Sequence, residues 1–483
     1  MDSLKKIGEI KPQNSRDIEN SRLGLGMEKL DRDAFDPEKV YDKVAALGVK
    51  WIRLQSGWQK TEKIEGIYDF SWLDKQVDEL LSRGLVPWLC LCYGNALYDE
   101  IAVLYQGGVG APPIRNEKTN MAWLAYVQAT VAHFAGRIEY YEIWNEPEGR
   151  STWRPAGNAE EYAKFCLQTA KAIKKGDPSA KIITGSHYQD SMEFFNEEFA
   201  LGTLEISNAV SYHAYNYDES YSIQRVKALR ALMHIYGKEI EIIQGESGSQ
   251  SQSGGNGALA HVRTNEGMQA KQILRHTVAD LLAGVKFTSV FSCVDMAEHL
   301  GARTGEIIST CGYFGLLSAD FDRSTGQIMG EYREKPSYYA YQNLCALFNE
   351  NVIPVEIPTI FTPKESSRIN GWDCPTRDLI YGGLAKSNGA CAFAYWNATD
   401  LITIQGCEGT VTLEITGVKG PIHLIDPMDG SIYEIPQTIL TLHDRNRYVL
   451  RNLPVKDYPL ILTFGEFLSR YNTTTPYDPQ GDI

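Results

Sequence analysis

Between residues 23 and 348 the chain alternates short β-rich runs with longer segments of helical periodicity, and no other feature narrows its fold so far. The runs are Leu23 to Met27, Val49 to Leu54, Val86 to Tyr93, Ile138 to Trp144, Lys181 to Ser186, Val210 to Tyr215, Ile240 to Gln244 and Val285 to Cys293. The helical segments are Phe70 to Arg83, Met121 to Phe134, Ala159 to Lys175, Met192 to Phe199, Tyr221 to Tyr236, Gly267 to Leu282 and Pro336 to Phe348. In the segment after the fourth run, Tyr162, Phe165, Cys166, Thr169, Ala170 and Ile173 recur at one-turn intervals and predict a single buried stripe. Strands joined by crossover helices build a parallel sheet, because a tight turn cannot return the chain in the same direction. Eight such units predict an α/β fold of the (β/α)8 TIM barrel type. An open doubly wound sheet is the runner-up, but no Gly-x-Gly-x-x-Gly follows the first run, which removes the usual reason to prefer a dinucleotide fold.

After Phe348 helical periodicity stops. Short β-rich runs such as Ala392 to Trp396, Val411 to Ile415, Ile422 to Leu424 and Pro459 to Phe464 alternate with the turn signals Asn388-Gly, Asp429-Gly, Gly417 and Gly420. The expected organisation is an N-terminal extension over 1–22, a barrel over 23–350, an all-β sandwich over 351–466 and a polar tail over 467–483.

Composition excludes several classes of function. The net charge of -14 opposes binding to nucleic acid or anionic lipid, and no basic run offsets it. The longest apolar stretch, Leu85 to Tyr93, is about half of the roughly 18 residues that span a bilayer. The first ten residues carry neither an apolar region nor a small-residue cleavage site, so a cytoplasmic protein is expected, or a secreted or periplasmic one had a leader been removed. The nine cysteines lie mostly in strand or helix patterns and read as reduced core thiols. Cys90 and Cys92 have no matching His or Cys pair at zinc-ligand spacing, so no metal is expected. Asn397 and Asn472 match the glycosylation sequon, a three-residue pattern of little weight in an intracellular chain.

In such a barrel the active site forms at the C-terminal ends of the strands. Glu146 ends the fourth run in Glu142-Ile-Trp-Asn-Glu-Pro147, and Glu246 ends the seventh in Ile242-Ile-Gln-Gly-Glu-Ser-Gly248. Strands four and seven face each other across a closed mouth. Two carboxyls converging there suit glycosidic bond cleavage, one protonating the leaving oxygen while the other attacks the anomeric carbon. Glu142 and Glu241 lie before the strand ends, where barrel residues serve packing or support.

On these motifs the sequence resembles the clan A glycoside hydrolases, retaining glycosidases built on this barrel. Trp144-Asn-Glu-Pro147 is similar to their strand-four acid/base motif, and Lys50-Trp-Ile-Arg-Leu54, Gly57-Trp58, Glu62, Gly66-Ile-Tyr-Asp-Phe70 and Trp72-Leu-Asp74 resemble family 39, the group of β-xylosidases and α-L-iduronidases. The resemblance implies Glu146 as acid/base, Asn145 as partner of the sugar 2-hydroxyl, Glu246 as nucleophile, Arg53 as holder of the nucleophile carboxylate and Tyr215 as its aromatic contact. It also implies a sandwich behind the barrel. Clan members usually carry a Trp at the end of strand eight beneath the sugar; here Phe291 or Asp295 is expected in that space. His213, Trp58 and Asn95 are further candidates for sugar contacts, with Trp88, Tyr93 and Trp153 behind them. A uronide would need a cation at the mouth, for which Arg115, Arg150 and Arg154 are candidates. Gln250 to Gly257 is read as either a lid or a plain surface loop.

The expectation is a retaining exo-glycosidase that needs no cofactor and has a carbohydrate as its only required partner, with homo-oligomers left open. The alternatives are an endo-acting glycanase and a non-catalytic glycan-binding protein.

Overall fold

In the computed structural model, residues 4–468 are described apart from 189–190, 298–302, 307–310, 323, 325, 364–366, 370–371, 375–378, 403–405, 437–439 and 445–446. The tail from Ser469, with Asn472, lies outside the described residues.

Eight parallel strands close into a barrel: β1 (Gly24–Gly26), β2 (Trp51–Gln55), β3 (Val86–Leu91), β4 (Tyr140–Ile143), β5 (Lys181–Tyr188), β6 (Ala209–Ala214), β7 (Glu241–Ser247) and β8 (Thr288–Val290). Closure runs through Leu25 opposite Val290. A helix follows each strand: Tyr41–Leu47, Ser71–Ser82, Glu117–His133, Ala159–Gly176, Met192–Ala200, Glu219–Ile235, Glu266–Ala283 and Pro336–Leu347. The first has only seven residues, too few to show a period, so sequence reasoning passed over it. Several helices begin where a side-chain oxygen takes an orphan backbone N–H. Asn116, Asn158 and Asn265 each accept from the third residue beyond, and Asp218 from Ser220 and Tyr221. The stripe Tyr162, Phe165, Cys166, Thr169, Ala170 and Ile173 is buried, as its spacing requires.

Behind the barrel two antiparallel sheets stack. The first orders Lys5–Glu9, Ser431–Glu434, Ile422–Asp426, Leu460–Phe464, Cys391–Asn397, Leu379–Ala385 and Ile353–Val355. The N-terminal segment thus supplies a strand to this sheet, pairing with Ser431–Glu434. The second sheet centres on Cys407–Thr416 paired with Arg447–Lys456. Strand alternation decides which face meets what. Phe393, Tyr395, Leu460 and Leu462 point into the sandwich core, whereas Ala392, Ala394, Trp396 and Ile461 join the core that continues into the barrel helices. Polar bonds lock this face: Trp396 Nε1 donates to Glu219 Oε1 at 2.6 Å, Arg275 Nε donates to the same oxygen at 2.7 Å, and Lys271 pairs with Asp457 at 2.7 Å.

Eight cysteines are free thiols, seven of them buried; the Cys374 side chain lies outside the described residues. Asn397 is buried with its amide on Cys407, which leaves that sequon no room for a glycan. No helix among the described residues is long and apolar enough to cross a membrane.

Candidate active site

The two glutamates reach the barrel mouth on irregular backbone. At the end of β4, Trp144 (φ 70°) and Glu146 (φ 48°) occupy the left-handed region, costly for residues with a Cβ and found where surroundings over-determine the chain. Those surroundings are visible. Glu146 N donates to Ser186 O at 3.1 Å, and Trp144 Nε1 donates to Thr152 O at 2.9 Å from a packed cluster with Trp123, Trp153 and Phe165. On β7 the pairing slips after Gln244, so that Glu246 rather than Gly245 stands opposite His213. A Cβ at Gly245 would lie 2.3 Å from Ser211 Oγ, so glycine lets the strand make this bulge and turn Glu246 inward without displacing that side chain.

One oxygen of each glutamate and a nitrogen of His213 lie within 4.8 Å of one another. His213 Nδ1 and Glu146 Oε1 are hydrogen-bonded at 2.8 Å, and the same nitrogen is 3.7 Å from Glu246 Oε2. Tyr215 OH donates to Glu246 Oε2 at 2.7 Å, and Arg53 Nη1 donates to Glu246 Oε1. The Arg53 guanidinium is completely buried and spends its other donors on Glu142 Oε2, at 2.6 and 2.8 Å, on Asn145 Oδ1 at 2.8 Å and on Glu28 Oε1 at 3.4 Å. With its oxygen held there, Asn145 keeps its Nδ2 amide as a donor for a ligand in the cavity it lines. The oxygens of Glu246 are already taken and the neighbouring guanidinium repels a cation, so this trio is a poor metal cradle.

These environments push the two carboxyls apart. Burial raises the proton affinity of Glu146, and the charges of Glu246 and Glu148 add to it against the His213 contact. Burial acts on Glu246 too, but His213, Arg53 and the Tyr215 hydroxyl outweigh it and hold the carboxyl below its ordinary value. His213 is raised, the penalty of burial being overcome by Glu246 and Glu146. Tyr215 is pushed far up by burial and by both glutamates, so it remains a donor. One carboxyl whose hold on a proton is strengthened beside one whose hold is weakened is the division of labour that acid–nucleophile chemistry requires.

The cavity over this pair measures about 390 Å³ and is walled by Glu28, Lys29, Arg32, Gln55, Tyr93, Asn145, Glu146, Ser151, Tyr215, Glu246, Phe291, Phe314 and the backbone around Gly257. Phe291 lines the cavity edge-on to Tyr215 and Phe314. Arg53 and His213 stand just behind the wall and contact the glutamates.

Three expected sugar contacts do not reach the cavity. Trp58 is fully buried in a stack with Tyr98 and Tyr126, and its Nε1 donates to Glu62 at 2.6 Å. Asn95 is equally buried and caps the same loop, donating to Glu62 O at 2.9 Å and accepting from Leu97 N at 2.9 Å. Asp295 turns away to a buried pair with Lys335 at 2.7 Å and to Gly315 N at 2.9 Å. Each is a polar or amphipathic group near the mouth whose partner lies in the chain, which sequence position cannot reveal. Among the reserve candidates Tyr93 lines the wall, Trp153 packs under Trp144, and Trp88 lies under Arg53 at 5.4 Å. Arg115 pairs with Asp99, Arg154 covers Tyr105 at 3.7 Å and Arg150 is exposed; the cations in the wall are Lys29 and Arg32. The 250–257 segment is a tied wall, with Gln250 Nε2 donating to Ala258 O at 2.9 Å and Asn256 N to Cys311 O at 3.0 Å.

Sequence reasoning missed Glu28, Lys29, Arg32 and Gln55. Glu28 is buried beside Arg53, with Oε2 bare of any partner among the described residues, and burial pushes it up to about 7. A signal existed, since Glu28 immediately follows the first run, at the strand end where Glu146 and Glu246 were sought.

Comparison with known proteins narrows what a barrel mouth with this carboxylate pair resembles. The profile of glycosyl hydrolases family 39 matches residues 46–244, a span that holds Arg53, Glu146 and Tyr215 and stops just short of Glu246. A β-xylosidase of Geobacillus stearothermophilus is 28% identical over 187 residues, 34% of this chain and 34% of that protein, so the match spans about a third of the relative's length. Among solved structures, a family 39 glycoside hydrolase from Bacteroides cellulosilyticus WH2 superposes with a TM-score of 0.61 at 16% identity over 92% of this chain and 81% of that one. A family 39 β-xylosidase from Caulobacter crescentus gives 0.55 at 16% identity over 95% and 98%. At such identities the structures speak for the shared fold, barrel and sandwich together. The chain therefore resembles clan A glycoside hydrolases, and within them family 39.

Proposed function

We propose that the protein is a retaining glycoside hydrolase that removes a terminal, β-linked sugar through a covalent glycosyl-enzyme intermediate. The observation that carries this reading is the pair Glu146 and Glu246, with oxygens within 4.8 Å across the cavity and opposite proton affinities. Retaining pairs stand about 5 to 5.5 Å apart, whereas inverting pairs leave room for a water. Glu146 protonates the glycosidic oxygen as Glu246 attacks the anomeric carbon, and Arg53 and Tyr215 keep the nucleophile ionised and aimed. Once the glycosyl bond forms, the charge on Glu246 is gone. The proton affinity of Glu146 falls, and it then accepts the proton of the incoming water. Asn145 donates to a sugar hydroxyl beside the bond that breaks. Exo action fits a cavity of about 390 Å³, which holds a sugar ring and a small aglycone rather than a run of rings. The β-xylosidase relative makes β-xylosides the first substrates to try.

The test uses the protein and its Glu146→Ala and Glu246→Ala variants on a panel of aryl α- and β-glycosides with azide present. The reading expects hydrolysis by the parent, loss in both variants, a retained azide adduct from Glu146→Ala and an inverted one from Glu246→Ala. No turnover of any glycoside by the parent, natural oligosaccharides included, points instead to glycan binding. Activity surviving either substitution assigns the chemistry to other carboxyls.

A further inference from the structure

Beside the catalytic pair lies a second group of ionisable side chains that the mechanism above does not use. His187, near the end of β5, is fully buried between two carboxylates: its Nδ1 is 3.0 Å from Glu148 Oε2 and its Nε2 is 3.2 Å from Glu198 Oε1. Glu198 is completely buried on the helix Met192–Ala200, and Glu148 is 13% exposed on the turn that follows Glu146. Ser191 Oγ donates to the other Glu148 oxygen at 3.0 Å. Tyr162 meets the imidazole edge-on from the helix Ala159–Gly176, and Phe194 and Phe195 close the remaining sides. A carboxyl oxygen at each ring nitrogen favours the imidazolium, and the two charges lift His187 to about 9 despite its burial.

The position of this cluster gives it a use. Glu148 sits two residues beyond Glu146, on the turn whose backbone is strained at Glu146 and Trp144. That turn is tied to β5 by Glu146 N on Ser186 O and closed on itself by Gly149 N on Glu146 O at 3.0 Å. His187 grips it a third time, from the residue after Ser186.

We propose that His187, clamped between Glu148 and Glu198, is the positioning residue for the acid/base Glu146, fixing the turn that carries it and balancing the Glu148 charge that acts on its proton. This rests on the reading of Glu146 as the acid/base. The groups facing Glu146 are His213 from β6, Glu246 from β7, Tyr93 and Tyr215 from the cavity wall, and Glu148 on its own turn. Of these charges only that of Glu148 is paired with His187. Removing either member therefore moves Glu146 in opposite directions: without the carboxylate its proton affinity falls, and without the imidazolium it rises.

The experiment compares His187→Gln and Glu148→Gln with the parent, using 2,4-dinitrophenyl and phenyl glycosides of one sugar. The dinitrophenolate departs without protonation, whereas phenolate needs the acid, so kcat/KM on the two substrates separates acid catalysis from everything else. The expectation is a loss on the order of tenfold to a hundredfold on the phenyl glycoside with little change on the dinitrophenyl one. The alkaline limb of the kcat/KM profile should move to lower pH in Glu148→Gln and to higher pH in His187→Gln. Equal losses on both substrates, or limbs that stay together, would assign the cluster a purely structural role and overturn the proposal. Glu148→Gln is isosteric and near the surface, so it decides the question by leaving-group dependence and limb direction even if His187→Gln fails to fold. A parent that cleaves no glycoside fails the underlying reading instead, an outcome distinct from an active parent with uniformly weakened variants.

Discussion

Arg53 is one guanidinium set against three buried carboxylates, and replacing it by methionine exposes how the site is held together. In the parent it pairs with Glu142 at 2.6 Å, with Glu28 at 3.4 Å and with Glu246, and all four side chains are at most 9% exposed. Methionine fills much of the volume and supplies no charge. Glu142, whose Oε1 already lacks a partner among the described residues, then loses its counter-charge in the barrel interior. Removing one member of such a pair costs about 3–5 kcal/mol, a large share of the roughly 5–15 kcal/mol by which a protein is stable. The sign of the pH dependence follows. In the parent Glu246 is held below its ordinary value, so its contribution is present above the unfolded pKa and is lost as pH falls through the folded one. In the variant Glu28 and Glu246 lose that lowering charge while burial still raises them, so their cost is absent below their unfolded pKa and grows as pH rises. The stability gap should thus be widest at pH 7 and narrow toward pH 5. Urea unfolding of parent and variant at the two pH values, followed by far-UV circular dichroism, measures it. A loss under about 1 kcal/mol at pH 7, or a gap that does not shrink at pH 5, would refute the view that Arg53 is the counter-charge of the interior.

Tyr215→Phe deletes the donor at 2.7 Å on Glu246, a bond to a charged acceptor worth about 1.5–3 kcal/mol; kcat/KM should fall roughly tenfold to a hundredfold, and its acidic limb should move to higher pH. Glu28 is pushed up to about 7, so the stability it permits is full below the unfolded carboxyl value and is lost as pH rises through 7. Glu28→Gln should accordingly gain on the parent in thermal midpoint between pH 5 and pH 8. Asp295→Asn leaves Lys335 buried without its counter-charge, so unfolding should become easier by about 3 kcal/mol while KM stays put, because Asp295 is spent on Lys335 and Gly315 away from the cavity. A raised KM at unchanged stability would return Asp295 to the sugar.

What the sequence by itself determined here is whatever depends on periodicity and on where a strand ends. The alternation of β-rich and helical segments is local, so eight strands and the switch to an antiparallel sandwich could be read directly, and with them the strand-end glutamates Glu146 and Glu246. The helix Tyr41–Leu47 escaped because seven residues complete only two turns. Partnership is different in kind. Whether a polar side chain near the mouth faces a ligand or another residue depends on groups distant in sequence, which only closure of the barrel brings together. Thus Asp295 found Lys335, Trp58 was enclosed by Tyr98 and Tyr126, and the cavity acquired Glu28, Lys29 and Arg32 from the loop after β1. The same closure set one carboxyl of the pair against His213 and the other against Arg53 and Tyr215. The residue types were written in the chain, but their unequal hold on a proton is a property of the burial and charge that the tertiary structure assembled around them.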